Sequence, residues 1–194
     1  NINPAFELAY WSWGLKKAND WRERMGRERN ADWDRMADQM APWPVVNGVY
    51  VEAESVLEKD GGHPTQLAAY GFLPASAYLD KEVMRKTLRH VLDNWDWADT
   101  WGWDFPLIAM TAIRLNEPEW ALETLLKSVQ KNTYLPNGHN FQNEGLPLYL
   151  PGNGGLLTVV AMMCAGWDGC TEGNPGFPKN GLWNVKWEGL KPAF

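Results

Sequence analysis

Residues 107–115 read LIAMTAIRL, and two other stretches share their character, LAAYGF at 67–72 and LLTVVAMMCA at 156–165. Apart from Arg114, no position in them carries a charge. A helix without a polar face is buried on every side. The stretches between them read differently. Met84, Leu88, Val91, Leu92 and Trp95 fall on one stripe at helical spacing, as do Leu122, Leu125, Leu126 and Val129, which leaves the opposite face to water. Wholly apolar and striped helices therefore alternate along the chain. That is the pattern of helical hairpins laid down in two layers, inner and outer.

Working outward from these stretches, seven helices are expected, over 4–25, 32–40, 64–71, 81–94, 105–115, 118–131 and 154–166. Pro4, Pro106 and Pro118 suit first turns, and Asp80 and Asp104 are N-cap types. Residues 171–194 are expected to form a tail that is irregular or holds a short strand or two. The predicted fold class is all-α, a partial α/α toroid of the (α/α)6 kind. A closed ring of this type needs about twelve helices of ordinary length. The 194 residues therefore read as a single domain that forms the C-terminal part of a larger catalytic domain. Such an arc would leave an apolar flank uncovered and open to self-association.

Composition narrows the function. A net charge of -6 argues against a nucleic-acid partner, whose phosphates require a basic surface. No apolar run is long enough for a membrane span. The opening NINPAFELAYWSWG has no basic start and no cleavage-type segment, so no signal peptide is read in it. A longer parent protein in the periplasm or outside the cell would fit the reading below. Cys164 and Cys170, the only cysteines, form neither a disulfide framework nor a metal pattern, and no metal or cofactor is implied. The unusual number is thirteen Trp, whose flat faces suit the C–H surfaces of sugar rings as well as cores. Trp95, Trp97, Trp101 and Trp103 crowd one loop, where packing alone explains them poorly.

The expected loops differ in length. Those at 26–31, 73–79 and 116–117 are short, and those at 41–63, 95–104 and 132–153 are long. Antiparallel alternation puts the long ones at one end, over the N-termini of the inner helices. Long loops without helices of their own are usually functional. The first carries Glu52, Glu54, Glu58, Asp60 and His63, and the second Trp101, Trp103 and Asp104. The third carries His139, Asn140, Gln142, Asn143 and Glu144, then Tyr149 and Asn153. Amides and carboxylates supply the paired donors and acceptors that hydroxyl recognition needs. Glycoside hydrolysis takes two carboxyl groups flanking the bond. Glu144, Glu52 and Glu7, in the first turn of the first inner helix, are the candidate acid and base. His63, Trp101, Trp103, Asp104, His139, Gln142 and Asn153 are the candidate substrate contacts.

Three segments also resemble a known family. HPTQLAAYGFLP is similar to the HRHxSHLYGLYP stretch of inverting α-L-fucosidases of the (α/α)6 class. NGVYVEAE resembles their dG-x-x-x-E-W stretch, and LPLYLPGNGGLLTVVAMM their FQIDGNFGGTAGIAEMLL stretch. The run from NPAFELAYW to PGFPKNGLWNVKWEG also resembles uncharacterised bacterial proteins related to these hydrolases. The resemblance implies an (α/α)6 catalytic domain acting on an oligosaccharide with inversion. It matches His63 to the first His and Asn153 to the Asn of the glycine-rich motif. Pro151 stands where the family has its catalytic Asp, so the base does not carry over, and Glu144 is the possible substitute. The family's general acid would lie before the first helix of this chain. Two rivals remain: a carbohydrate-binding module without catalysis, and a structural α/α repeat whose loops bind a protein.

Overall fold

Asp80 and Asn30 begin helices for the same reason. Each side chain accepts from two backbone N–H groups of the first turn, Asp80 from Glu82 and Val83 and Asn30 from Asp32 and Trp33. In the computed structural model, which describes residues 1–57 and 59–193, seven α-helices form among the described residues. They are α1 (Ala5–Arg24), α2 (Ala31–Asp38), α3 (Thr65–Gly71), α4 (Lys81–Asn94), α5 (Asp104–Arg114), α6 (Pro118–Leu125) and α7 (Leu150–Ala165). The protein is mainly helical. No described helix is long and apolar enough to cross a membrane.

The packing follows the alternation of the sequence. α1 packs on α3, α3 on α5, and α5 on α7. The striped helices attach to that row: α2 to α1, α6 to α5, and α4 to both α3 and α5. Every residue of α5 is buried, because helices contact it on several sides. Burying α5 at roughly 25 cal/mol per Å² of apolar surface makes it the centre of the core.

α7 departs from expectation. Its sequence is as apolar as that of α5, yet only Gly152, Val159, Met162, Met163 and Cys164 are buried. Leu150 is 67% exposed and Leu157 73%. Its main helix neighbour is α5, and Val160 is exposed as well. At the other end of the row, α1 leaves Tyr10, Trp11 and Trp21 exposed.

Several boundaries also differ from the sequence reading. α6 ends at Leu125 rather than 131, where Asn132 turns its amide back onto the carbonyls of Leu125 and Lys127. α7 begins at Leu150, so Asn153 lies inside the first turn and not before it. Asp104 is not an N-cap. Trp103 holds that position, and the Asp104 carboxylate turns back to accept from the Trp101 N–H at 2.7 Å. The described tail contains no strand and only one bridge, Trp167 with Ala193.

The strands lie in the long loops instead. β1 (Val45–Val46) pairs with β2 (Val49–Tyr50), and β3 (Thr133–Tyr134) with β4 (Asn140–Phe141), both antiparallel. Asn47 and Gly48 between β1 and β2 have φ of 51° and 80°, the two positive angles of a tight hairpin turn. Asn-Gly between Val-Val and Val-Tyr is a hairpin signal readable in the sequence.

Candidate functional site

The three long loops meet. The Asp96 N–H donates to the Asp60 carbonyl and the Trp95 indole to that of Gly62, which ties the first loop to the second. The Gly102 N–H donates to Gln142 Oε1 at 2.9 Å, which ties the second to the third. Asn140 is the keystone of that junction. Its Nδ2 donates to the carbonyls of Lys131 and Thr133, and its side chain fills the space beside two glycines. A Cβ on Gly102 would stand 1.8 Å from Asn140 Oδ1, and one on Gly152 2.2 Å away.

Where the loops join, His63 and Asp104 form a pair. His63 comes just before α3, and Asp104 opens α5. The imidazole Nδ1 lies 3.0 and 3.1 Å from the two carboxylate oxygens. Asp104 is 0% exposed, whereas the His63 side chain is 37% exposed. The carboxylate hydrogen bond holds the proton on His63 and raises its pKa above the ordinary value. Burial pushes the Asp104 carboxyl upward, against the N–H groups of His63 and Trp101 that favour its anion. With Nδ1 bonded to the carboxylate, Nε2 is the ring nitrogen left for a ligand. Asp99 and Lys59 are close enough to act on the imidazole with opposite sign.

Aromatic rings surround the exposed face of His63. Trp103 lies edge-on at 4.9 Å and Trp101 at 6.2 Å. Phe72 stacks near Trp103 at 6.3 Å, and Tyr149 packs on Trp101 at 5.4 Å. Trp101 is 37% exposed. Beside Trp103 opens an apolar cavity of about 310 Å³, bounded by Phe72, Met110, Pro151, Gly155 and Thr158. An exposed nitrogen backed by a buried carboxylate and flanked by flat apolar faces can bind a hydroxyl while the rings take C–H surface. It can also pass a proton.

The remaining candidates fall elsewhere or serve the scaffold. Gln142 is 0% exposed and holds the Trp101–Trp103 segment through Gly102. Asn153 spends both ends of its amide on the chain: Oδ1 accepts from the Asn140 N–H and Nδ2 donates to the Gly138 carbonyl. His139 is half-buried beside the turn of the β3–β4 hairpin. Glu144 is exposed in the turn that follows β4. Glu7 is exposed on α1. Glu52 pairs with Lys59 at 2.9 Å and lines a different cavity. Glu54 accepts from Asn3, Asp60 pairs with His90, and Glu58 lies outside the described residues. Two of the loop tryptophans are packing residues: Trp95 is buried, and Trp97 stacks on Phe105 at 5.7 Å. The His63–Asp104 pairing could not be read from residues 41 positions apart; Tyr149 was noted in the third loop without a role, and Phe72 had no site signal.

Among the described residues, no cluster of His, Cys, Asp and Glu could hold a metal ion. No protein-family profile matches the chain, and no curated protein matches it in sequence.

Proposed function

We propose that this chain is an arc of an α/α toroid of the glycoside hydrolase kind, and that its loop face handles an oligosaccharide. The observation that carries the reading is the exposed His63, backed by buried Asp104 and set among Trp101, Trp103 and Tyr149 where all three long loops join. The row α1–α3–α5–α7, with striped helices attached to it, supports the arc. The open flanks of α1 and α7 suit an incomplete ring. A sugar would lay a C–H face on Trp103 or Trp101 and bond a hydroxyl to His63 Nε2. Hydrolysis would draw on Glu144 of the third loop first; Glu52, paired with Lys59 at another cavity, and Glu7, on α1, stand behind it.

One observation favours a binding module without catalysis. Asp104, the carboxylate paired with His63 among the aromatic faces, is buried and already bonded to His63 and Trp101, so it cannot approach a glycosidic oxygen. The test is an oligosaccharide panel read by tryptophan fluorescence and by release of reducing ends. The reading expects saturable quenching that Trp103→Ala and His63→Ala abolish. It further expects Glu144→Gln to cut turnover by roughly 10²-fold while binding persists. Quenching without turnover selects the binding module. Neither quenching nor turnover across the panel defeats the carbohydrate reading.

A further inference from the structure

The cavity beside Trp103 is walled by three helices and their ends. Pro151, Gly155 and Thr158 come from α7, Met110 from α5 with Trp103 just before it, and Phe72 from just after α3. At about 310 Å³ it is at the lower end of small-molecule pockets, which run from about 300 to 1,000 Å³. We propose that it takes an apolar group attached to the sugar, so that the ligand of the loop face is a glycoside with an aryl or alkyl aglycone. The inference rests on the carbohydrate reading above and narrows it to a class of substrate.

The walls decide the chemistry. Among the described residues they carry no charged side chain. Their polar side-chain groups are the Trp103 indole N–H and the Thr158 hydroxyl, and that hydroxyl already donates to the Gly154 carbonyl at 2.8 Å. A sugar hydroxyl placed there would give up water partners that these walls replace only in part. An apolar group meets the opposite balance. Phe72 and Trp103 offer ring surface, and the flexible Met110 thioether suits an alkyl chain or the edge of an aromatic ring. An apolar cavity of roughly half this volume holds benzene, so one ring or a short chain fits. Continuity with the polar site comes through Trp103. The same indole lines the cavity and lies edge-on 4.9 Å from His63, whose Nε2 is left for a ligand hydroxyl. One ligand can therefore set its hydroxyls at His63 and its apolar group past Trp103.

The experiment titrates methyl, hexyl and phenyl glycosides of glucose and of galactose into the isotopically labelled chain, with benzyl alcohol as a sugar-free probe. The methyl resonance of Met110, which is 3% exposed, follows the cavity. The indole N–H of Trp101, which is outside the cavity walls, follows the polar site. For at least one sugar, the phenyl or hexyl glycoside should bind about tenfold or more tighter than the methyl glycoside, the factor for burying one apolar side chain. It should move both signals. A gain with phenyl alone assigns an aryl aglycone, and a gain with hexyl alone an alkyl one. Thr158→Phe, at an exposed wall position, should fill the cavity and abolish the gain while methyl-glycoside binding persists. Thr158→Val keeps the shape and should keep the gain; its loss there would overturn the proposal by making the hydroxyl a ligand partner. Methyl, hexyl and phenyl glycosides of equal affinity, moving Trp101 and not Met110, would overturn the proposal and leave the carbohydrate reading standing. Benzyl alcohol that moves Met110 while no glycoside moves Trp101 would overturn both. Silence at Met110 with every probe would overturn the proposal as well.

Discussion

α5 and α7 are alike as sequences and unlike as structures. Both lack a polar face, yet every residue of α5 is buried while Leu150 and Leu157 of α7 stand in solvent. The difference lies in their neighbours. α5 has α3 and α7 beside it in the row and α4 and α6 against it, whereas α7 packs chiefly on α5. Apolar composition states what a helix needs covered and is silent about what covers it.

The largest expected effect tests the covered member. Phe105→Ala in α5, at a side chain 0% exposed, should lower unfolding free energy by about 3–5 kcal/mol. Urea denaturation measures it, and a loss below 1 kcal/mol would contradict a central α5. Next comes the loop junction that α5 carries. Gly102→Ala puts a Cβ into Asn140, so a loss of about 1–3 kcal/mol is expected, with Trp101 released from Tyr149. Denaturation with tryptophan fluorescence reads both.

A smaller effect follows pH. The folded pKa of His63 lies above its unfolded value of 6.5. The stabilisation is then full below 6.5 and is lost as pH rises through the folded pKa. Urea midpoints taken from about pH 5 to 9 should decline across that window, and His63→Asn should flatten the decline. A midpoint that rises with pH there, and keeps rising in the variant, would remove the pair as its source. The smallest effect belongs to the uncovered member. Leu157→Ala should shift stability by no more than about 0.5 kcal/mol, apart from its helix propensity. Leu157→Glu should raise the concentration at which the chain begins to associate, as read by light scattering. A loss of several kcal/mol on Leu157→Ala would mean that α7 is covered after all.

The contrast also marks how far the sequence could be read. Helix existence was legible because periodicity is local: the stripe through Met84, Leu88 and Val91 needs no partner to be recognised. The reach of α6 was not, because Asn132 closes it from seven residues beyond its end. The meeting of the long loops was legible from the alternation of helices. The identity of the site was only half so. His63, Trp101 and Trp103 were named from residue type, but the Asp104 carboxylate has the chemistry of an N-cap in sequence and faces away from that role in space. Gln142 and Asn153 have the chemistry of sugar ligands and spend it on Gly102, Asn140 and Gly138. Amides suit hydroxyls and backbones equally, so composition cannot divide them.

Asn140 has a consequence in inheritance. Its side chain occupies the space that a Cβ at Gly102 or at Gly152 would claim, so the three positions behave as one heritable character. A lineage can lengthen the hairpin tip around Asn137 or recolour the surface at Glu144 one codon at a time, since both are exposed. It can enlarge residue 102 or 152 only after residue 140 has shrunk, and a smaller residue 140 surrenders the bonds to Lys131 and Thr133. Drift on the loop face therefore runs freely at its edges and stalls at this lock, which keeps the spacing of Trp101 and Tyr149 while the surface around them is rewritten.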